Sequence, residues 1–569
     1  MSQRLEPVNK HASHTRLANA ERSIGVRWIA CFGLILVVSF AITCGLIGRD
    51  FGYHWDEQVT IRSIPAAIET GVLLPSFYLY PGVNFLVAMA VYAPTAAKAI
   101  ITGSAPDSTQ YAEIHPPPPA LDGKPATGSR MDMLQHGLKS YAWSKIFLLR
   151  VRTVYVVLSL LAALWIFVAA ATQRRSWWEA LLAASLMSLS WEFGYHARWV
   201  TPDALTTSFA TLSLMFVLIA LEHNRPRPWL TFGAISAGLA AGTKYQGVIA
   251  LVPVLVIAFK FWKDSPHGQR YWREAVRLTA ISAATYLCTT PGTLLDPIRF
   301  IQSFVFQLKT YQAGWKEHTV NRGFDHLVKL LEFYGFSAFS HYAVIAVCIF
   351  LLALLGAVVI FRENRWRAFL LLFIPVFYTL YMAMQRVMFV RNYLVVLPFL
   401  AILAARGVGF LAQHLAGRRV AAVALTLTLV AALTLNAVWL WRAAQTIPVR
   451  EFARYRYIEQ LSAYLSDHAS TRFALSPKVH SETLHMNGLM SPNAVTRLDS
   501  ARYAIFYASE VPDPAKWDAT KFNYTKTWFG PYELNFNYYP TWEGEDRIVV
   551  LNVPAAARLN VFSSPDRTP

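Results

Sequence analysis

The sequence is short of charge. Charged residues make up 15% of its 569 positions, against roughly 25% in an ordinary globular protein. That shortage excludes a disordered chain and an ordinary cytosolic enzyme. Cysteine is also scarce. Cys31, Cys44, Cys288 and Cys348 all lie inside apolar runs, and no CxxC is present. A disulfide scaffold and a zinc knuckle are therefore not indicated. Acidic residues are outnumbered 34 to 52 by Lys and Arg, and no repeat of fixed period stands out. An inverted-repeat transporter thus gains no direct support.

What is present is apolar surface. Hydrophobic residues reach 55%, and mean hydropathy is +0.33. Apolar runs occupy 24–47, 79–101, 151–171, 177–196, 204–222, 229–243, 246–262, 275–290, 341–361, 368–384, 391–411 and 420–441. Such runs describe a polytopic membrane protein. The basic residues sit between them, at Arg174-Arg175, Arg225/Arg227, Lys260 to Arg277, Arg362-Arg365-Arg367 and Arg418-Arg419. That is the pattern of cytoplasmic loops, so the net charge of +18 implies lipid and not nucleic acid. The first run follows a polar segment, 1–23, is too long for a signal-peptide core, and is expected to remain as the first span.

Charge parity sorts the runs. With the N-terminus cytoplasmic, a full crossing by 79–101 would put Arg174-Arg175, Arg362 to Arg367 and Arg418-Arg419 outside, against the positive-inside bias. Pro81 and Pro94 break that run, and Tyr78, Tyr80 and Tyr92 flank or interrupt it. An interfacial or re-entrant segment accounts for both facts. About eleven spans remain, over residues 24–441. Large external loops are expected at 49–150 and 291–340, and short external turns at 197–203 and 385–391. The proline-rich stretch within 104–130 reads as extended. The tail, 442–569, is expected outside as a small α/β domain, with a helix over 449–466 and strands over 502–508 and 547–553. Its aromatic segment between Trp528 and Trp542 reads more readily as a packing cap than as a binding module. The fold class is thus an all-α membrane protein carrying a small α/β domain, in the inner (plasma) membrane.

Ionisable groups beside apolar spans mark function. Four clusters fall on the external side by parity. The first is His54-Trp55-Asp56-Glu57, where Asp56 would cap a short helix over 58–70; the plainer reading is a capped juxtamembrane helix. The second is His196, Arg198 and Asp203, which could equally mark a lipid interface and a helix mouth. The third is Lys244 between two short runs, costly at membrane depth (about 3 kcal/mol on insertion scales) unless it is paired or snorkels to an interface. The fourth is Arg386, Arg391-Asn392-Tyr393, outward arginines that suit a lipid phosphate or a solvated helix end.

In order along the chain, Trp55-Asp56-Glu57, Tyr80-Pro81-Gly82, Arg198 to Asp203, Gly238-Leu239-Ala240-Ala241-Gly242-Thr243-Lys244-Tyr245 and Arg391-Asn392-Tyr393 with Leu397-Pro398 resemble the GT-C membrane glycosyltransferases. The branch is the glycosyltransferase family 39, protein O-mannosyltransferase-like one, similar also to the bacterial aminoarabinose–lipid A transferase. The resemblance spans about 24 to 441. It implies a polyprenyl-phosphate sugar donor used on the outer face. It implies Asp56 as catalytic base with Glu57 its companion, and Asp203 as a second acid in the same cavity. Arg391 and Tyr393, with Arg198 and Lys244, would handle the donor phosphate, and Tyr80 and His196 would contact substrate.

Two positions depart from the family. Tyr80 stands where the lipid A transferase has a phosphate-binding Lys, so Arg391 or Arg198 must supply that charge. The metal-ligating Glu nearby has no counterpart. No cofactor is required, and a divalent metal stays open: His54, Asp56, Glu57, His196 and Asp203 could offer oxygen and nitrogen ligands, but no spacing demands one. The resemblance implies direct displacement with inversion at the anomeric carbon. The rival readings are a transporter or flippase for a lipid-linked saccharide and a non-catalytic cell-envelope assembly subunit. Neither the sugar nor the acceptor (lipid, glycan or protein) can be read from the residues.

Overall fold

The apolar runs are helices. The computed structural model describes residues 10–51, 55–75, 77–104, 106, 129–174, 176–263, 270–315, 318–415, 417–476, 479, 494–495, 498–507, 520–528 and 544–552. The proline-rich stretch over 107–128, the Tyr53-His54 pair and most of the aromatic segment between Trp528 and Trp542 lie outside the described residues.

In chain order the helices begin with α1 (Lys10–Ile47), α2 (Trp55–Ile61), α3 (Ser63–Thr70), α4 (Val83–Thr102), α5 (Arg130–Ala142) and α6 (Lys145–Arg174). They continue with α7 (Trp177–Ser188), α8 (Trp191–Ala197), α9 (Pro202–Glu222), α10 (Pro226–Thr243), α11 (Leu251–Lys263) and α12 (Arg270–Thr289). Then come α13 (Gly292–Leu295), α14 (Pro297–Ala313), α15 (Phe324–Phe336), α16 (Ala343–Glu363), α17 (Arg365–Ala383), α18 (Leu397–Leu415) and α19 (Arg419–Asp467). Two 3₁₀ segments, Tyr245–Ala250 and Val390–Val396, precede α11 and α18.

Among the described residues eight helical stretches are long and apolar enough to cross a membrane. They include Val83–Thr102, the run expected at the interface. The segments over 177–196, 229–243, 246–262 and 275–290 are helical but fall outside that set. Pro226 and Arg227 open α10, Lys244 interrupts the next pair, and Arg270, Arg273 and Arg277 charge α12. The chain is thus a multi-pass membrane protein whose full-length spans are interleaved with shorter helices.

Ion pairs sort the helix ends into two faces. Arg367 at the start of α17 meets Glu222 at the end of α9 at 2.7 Å. Arg406 of α18 binds Glu363 at the end of α16 at 2.7 Å and Glu179 at the start of α7 at 3.3 Å. Arg227 and Arg277 share Glu274 between α10 and α12. These contacts tie Arg367 and Arg406 to the ends of α9 and α16 and the start of α7, and Arg227 and Arg277 to the start of α12.

The first loop belongs to the other side, where Lys145 pairs with Asp50 at 2.8 Å. Helix α4 starts there, held by Asn84, which donates to the Thr243 carbonyl at 2.9 Å. Its far end is tied to Arg130, whose Nε donates to the Gly103 carbonyl at 3.2 Å, and α5 returns to α6. The Lys145–Asp50 pair brings the start of α6 back beside the end of α1, so α4 and α5 lie between two points at the same end of the bundle.

Close backbone approach fixes the packing at two points. A Cβ on Gly356 of α16 would strike the Leu403 carbonyl, and one on Gly407 of α18 the Leu352 carbonyl. These two helices touch because each offers a glycine to the other, as membrane helices do in the absence of a hydrophobic drive.

Helix α19 runs on beyond its apolar part, and its last turns meet a five-stranded sheet. The strands are β1 (Phe473–Leu475), β2 (Ala494–Val495), β3 (Tyr503–Tyr507), β4 (Thr520–Trp528) and β5 (Gly544–Asn552) in the order β2-β1-β3-β5-β4. β1 pairs with β2 and β3 in parallel, and β5 pairs antiparallel with β3 and β4. Leu461 and Leu465 of α19 bury against Phe473, Leu475 and Ile505. The expected α/β tail is present, with β3 and β5 in place of the two expected strands.

Candidate active site

Helix starts and stops place the charged groups. Asp56 and Glu57 occupy the first turn of α2, where carboxylates oppose the helix dipole favourably. Asp56 is inside the turn and not its cap. The helix expected to reach Thr70 breaks after Ile61, because the Pro65 ring would collide with the Ile61 carbonyl of a continuous helix; Pro65 fits instead in the first turn of α3. Pro202 opens α9 and puts Asp203 in its first turn. Lys244 ends α10 in an extended conformation, its positive charge at the favourable end of the dipole. Arg391 stands in the 3₁₀ segment that leads into α18.

These four meet. Arg391 Nη1 lies 2.5 Å from Asp56 Oδ2, and its Nε 3.5 Å from Asp203 Oδ2. Asp203 Oδ1 accepts from Lys244 Nζ at 2.5 Å. Lys244 also donates to Asn392 Oδ1 at 2.6 Å. Tyr80 donates its hydroxyl to Asp56 Oδ1 at 3.2 Å. The result is an alternating row of acid, base, acid, base. All four charged groups line one open cleft, with Tyr80, Tyr311, Phe306, Trp315 and Phe389 among its other walls. The Arg391 guanidinium lies over the Phe389 ring, 4.7 Å from its centroid.

Burial dominates the chemistry of Asp56. The residue is fully buried, and loss of hydration pushes its carboxyl up to about 6 although Arg391 pulls the other way. The same burial, with the Asp56 charge next in weight, pushes the Tyr80 phenol well above its ordinary value. Tyr80 is thus a standing donor and Asp56 an acceptor poised near neutrality.

Five other residues singled out from the sequence lie nearby but do not line the cleft. Glu57 is fully buried in a bidentate pair with Arg152 of α6, at 3.0 and 2.5 Å, and accepts from the Val200 backbone N–H at 3.0 Å. Arg198 donates to the Gly48 carbonyl at 3.1 Å and to that of Gly194 at 3.4 Å. It therefore braces the end of α1, and the charge beside Asp56 comes from Arg391. His196 holds the Glu192 carbonyl through Nδ1 at 2.8 Å and packs its ring on Trp199. Tyr393 is fully buried, its hydroxyl 2.9 Å from His326 Nε2; this phenol is a brace behind Arg391 and not part of the cleft wall. Arg386 joins a backbone ladder, accepting from Val320 N–H at 2.8 Å and donating to the Tyr311 carbonyl at 2.9 Å.

Sequence reasoning missed Arg152, Asn392 as a Lys244 partner, and Tyr311. Arg152 was legible in principle as a charge buried early in an apolar run. Tyr311, whose hydroxyl reaches Asn392 Oδ1 at 3.3 Å, carried no signal. A metal does not fit the described residues: Asp56 and Asp203 are each already neutralised by a cation, and no group of three His, Cys, Asp or Glu side chains converges among them.

Residues 142–291 match the family described as dolichyl-phosphate-mannose-protein mannosyltransferase. That stretch contains Arg152, Asp203 and Lys244. Among solved structures, apo ArnT from Cupriavidus metallidurans is similar with TM-score 0.51 and 14% identity, over 92% of this chain and 98% of that one. The same protein bound to undecaprenyl phosphate gives 0.48 and 14%, over 91% and 97%. The oligosaccharyltransferase AglB from Archaeoglobus fulgidus, in complex with an inhibitory peptide and a dolichol-phosphate, gives 0.46 and 11%, over 84% and 69%. No curated protein matches the sequence. At 14% identity the likeness is one of fold.

Proposed function

We propose, from the premise that this chain is a multi-pass membrane glycosyltransferase of GT-C fold resembling ArnT, that it moves a sugar from a polyprenyl-phosphate carrier to an acceptor on the extracytoplasmic face. The donor reading is supported by the family matched over 142–291 and by two cations in a cleft within a membrane protein. The observation that carries the proposal is the row Asp56–Arg391–Asp203–Lys244 in one cleft. Orientation follows from parity: the site is on the side away from the basic helix ends, which the positive-inside bias assigns to the cytoplasm. The N-terminus is then cytoplasmic and the sheet of the tail external, in the inner (plasma) membrane.

The chemistry is one displacement. An acceptor hydroxyl or amine gives its proton to Asp56 Oδ and attacks the anomeric carbon. The bond from that carbon to the phosphate oxygen breaks, and its electron pair leaves on the phosphate. Attack and departure on opposite sides invert the anomeric centre. A phosphodiester needs no strong acid to leave, but it needs positive charge where the anion grows. Arg391 and Lys244 supply it, and the incoming phosphate competes with the carboxylates for them. That competition frees Asp56 from Arg391 and raises its basicity at the moment it must take a proton.

The test is transfer by purified protein from a panel of polyprenyl-phosphate sugars, with release of free polyprenyl phosphate as readout. One donor should turn over with inverted product. A panel in which no donor is consumed above the rate without protein overturns the reading.

A further inference from the structure

Helices α1 and α6 pack together at the end of the bundle that carries Asp56 and Glu57. A Cβ on Gly45 of α1 would strike the Val156 side chain of α6, so the two backbones run close there. Ile146, Arg150, Thr153 and Val157 are spaced four, three and four along α6 and share one stripe of it. Ile146, Arg150 and Val157 are exposed and Thr153 is half-buried. Thr43 and Ile47, one turn apart on α1, are exposed as well. Exposed apolar residues on two membrane-crossing helices make this seam a lipid-facing one.

Two arginines sit in that setting. Arg49, just past the end of α1, sets its Nη1 2.7 Å from Thr153 Oγ1. Arg150 lies one turn from Thr153, and its Nη1 donates to the Tyr141 hydroxyl at 2.9 Å. Thr153 thus brings the two guanidinium groups to one place on the seam. Among the described residues both are held by neutral hydroxyls and by no carboxylate; the neighbouring Asp50 is already matched by Lys145 at 2.8 Å. A guanidinium has five N–H donors in a fixed fork, so most of theirs remain to be used. Arg152 is two residues on from Arg150, about 200° around the helix axis, and turns inward to Glu57. The outer pair is therefore separate from the charged row of the cleft.

Arg150 stands about 7.5 Å along α6 from its first residue, at headgroup depth for a helix that goes on to cross. Two cations side by side against lipid repel each other and are costly there unless an anion lies between them. The forks of two arginines match the oxygens of a phosphate. A choline or ethanolamine headgroup would add a third cation to the pair; a headgroup without one would not. We infer that Arg49 and Arg150 hold the phosphate of an anionic phospholipid at the end of the α1–α6 seam, with its acyl chains running down past Val157. The site does not depend on the donor reading, in which the carrier phosphate meets Arg391 and Lys244.

Retention of lipid by the purified full-length protein tests it. The protein in uncharged detergent is titrated with phosphatidylglycerol or phosphatidylcholine, and bound lipid is counted by native mass spectrometry. Wild type is expected to keep one phosphatidylglycerol with about tenfold or greater preference over phosphatidylcholine. Arg49→Gln with Arg150→Gln is expected to bind phosphatidylglycerol about tenfold or more weakly, the loss of two charge-assisted contacts. Lys98→Gln with Arg322→Gln removes the same charge from exposed positions elsewhere and should bind it as wild type does. Equal retention of the two lipids by wild type overturns the site without any variant having to fold. An equal loss in both double variants assigns the effect to overall charge and also overturns it. Displacement of the phosphatidylglycerol by inorganic phosphate at millimolar concentration would make the ligand a free anion and overturn the lipid assignment.

Discussion

Arg391 holds Asp56 at 2.5 Å, although one residue precedes the second long apolar run and the other leads into the last but one. Removing either partner strands a buried charge, so the two must be varied conservatively to separate chemistry from folding. Asp56→Asn keeps the shape of the carboxyl and its contact with Tyr80. It is expected to lower turnover by about 10²–10⁴-fold, the usual worth of a general base; Arg391 keeps Asp203 at 3.5 Å as a counter-charge, so the melting temperature should fall less than in a variant that leaves a buried guanidinium with no carboxylate at all. Turnover near wild type in Asp56→Asn, measured as initial rate with saturating donor, removes Asp56 from the mechanism.

The pH profile follows from burial. Loss of hydration pushes the Asp56 carboxyl up to about 6, and only its ionised form accepts the acceptor proton. The rate should rise about tenfold per pH unit below 6 and level off above 7. The sign for stability is opposite. The folded state holds this proton to higher pH than the unfolded chain, so the group's contribution to stability falls as pH rises from about 4 to 6. An acid limb that persists unaltered in Asp56→Asn would assign that limb to another group.

Arg152 and Glu57 make a separate test of folding against chemistry. Their pair is fully buried and ties α6 to α2 and to the turn before Asp203. Glu57→Gln leaves the guanidinium without its counter-charge and is expected to cost about 3–5 kcal/mol of stability. Replacing both, as Glu57→Gln with Arg152→Met, should recover much of that loss while activity stays low, since the Val200 N–H contact is weakened. Thermal unfolding in detergent of the two single variants and the double variant reads the coupling. Additive losses would show that the residues act independently.

The long helices and their order were legible in the sequence, because apolar length is a local property. Asp56, Asp203, Lys244 and Arg391 were legible as individuals for the same reason: each is an ionisable group beside an apolar run. Their roles were not. Arg198 and Arg391 look alike in sequence, yet Arg198 turns back onto the Gly48 carbonyl while Arg391 faces Asp56. Glu57 and Asp56 are adjacent but point to different partners, because successive residues of a helix are about 100° apart around its axis. Arg152, Tyr311 and Asn392 entered the site only through tertiary contact.

Sidedness can be measured directly. In a cysteine-free background, a single cysteine at Glu69 or Arg322, both exposed on the site's face, should react with an impermeant maleimide in intact cells. A cysteine at His223, exposed at the opposite end of α9, should react only after permeabilisation. The reverse pattern would put the cleft in the cytoplasm and exclude the proposed orientation.

Tyr393 distinguishes a phosphate ligand from a brace. Its hydroxyl is spent on His326 Nε2 at 2.9 Å, and His326 Nδ1 lies 2.9 Å from the Gln385 carbonyl. That chain fixes the segment leading to Arg391 from behind. Tyr393→Phe should therefore leave the donor KM close to wild type and cost about 1 kcal/mol of stability, the net worth of one hydrogen bond. Arg391→Lys keeps the charge but loses the fork that spans Asp56 and Asp203, and should lower kcat/KM by about 10²-fold or more. A donor KM that rises strongly in Tyr393→Phe, at unchanged melting temperature, would return the phenol to the phosphate site and require the cleft to open around it when donor binds.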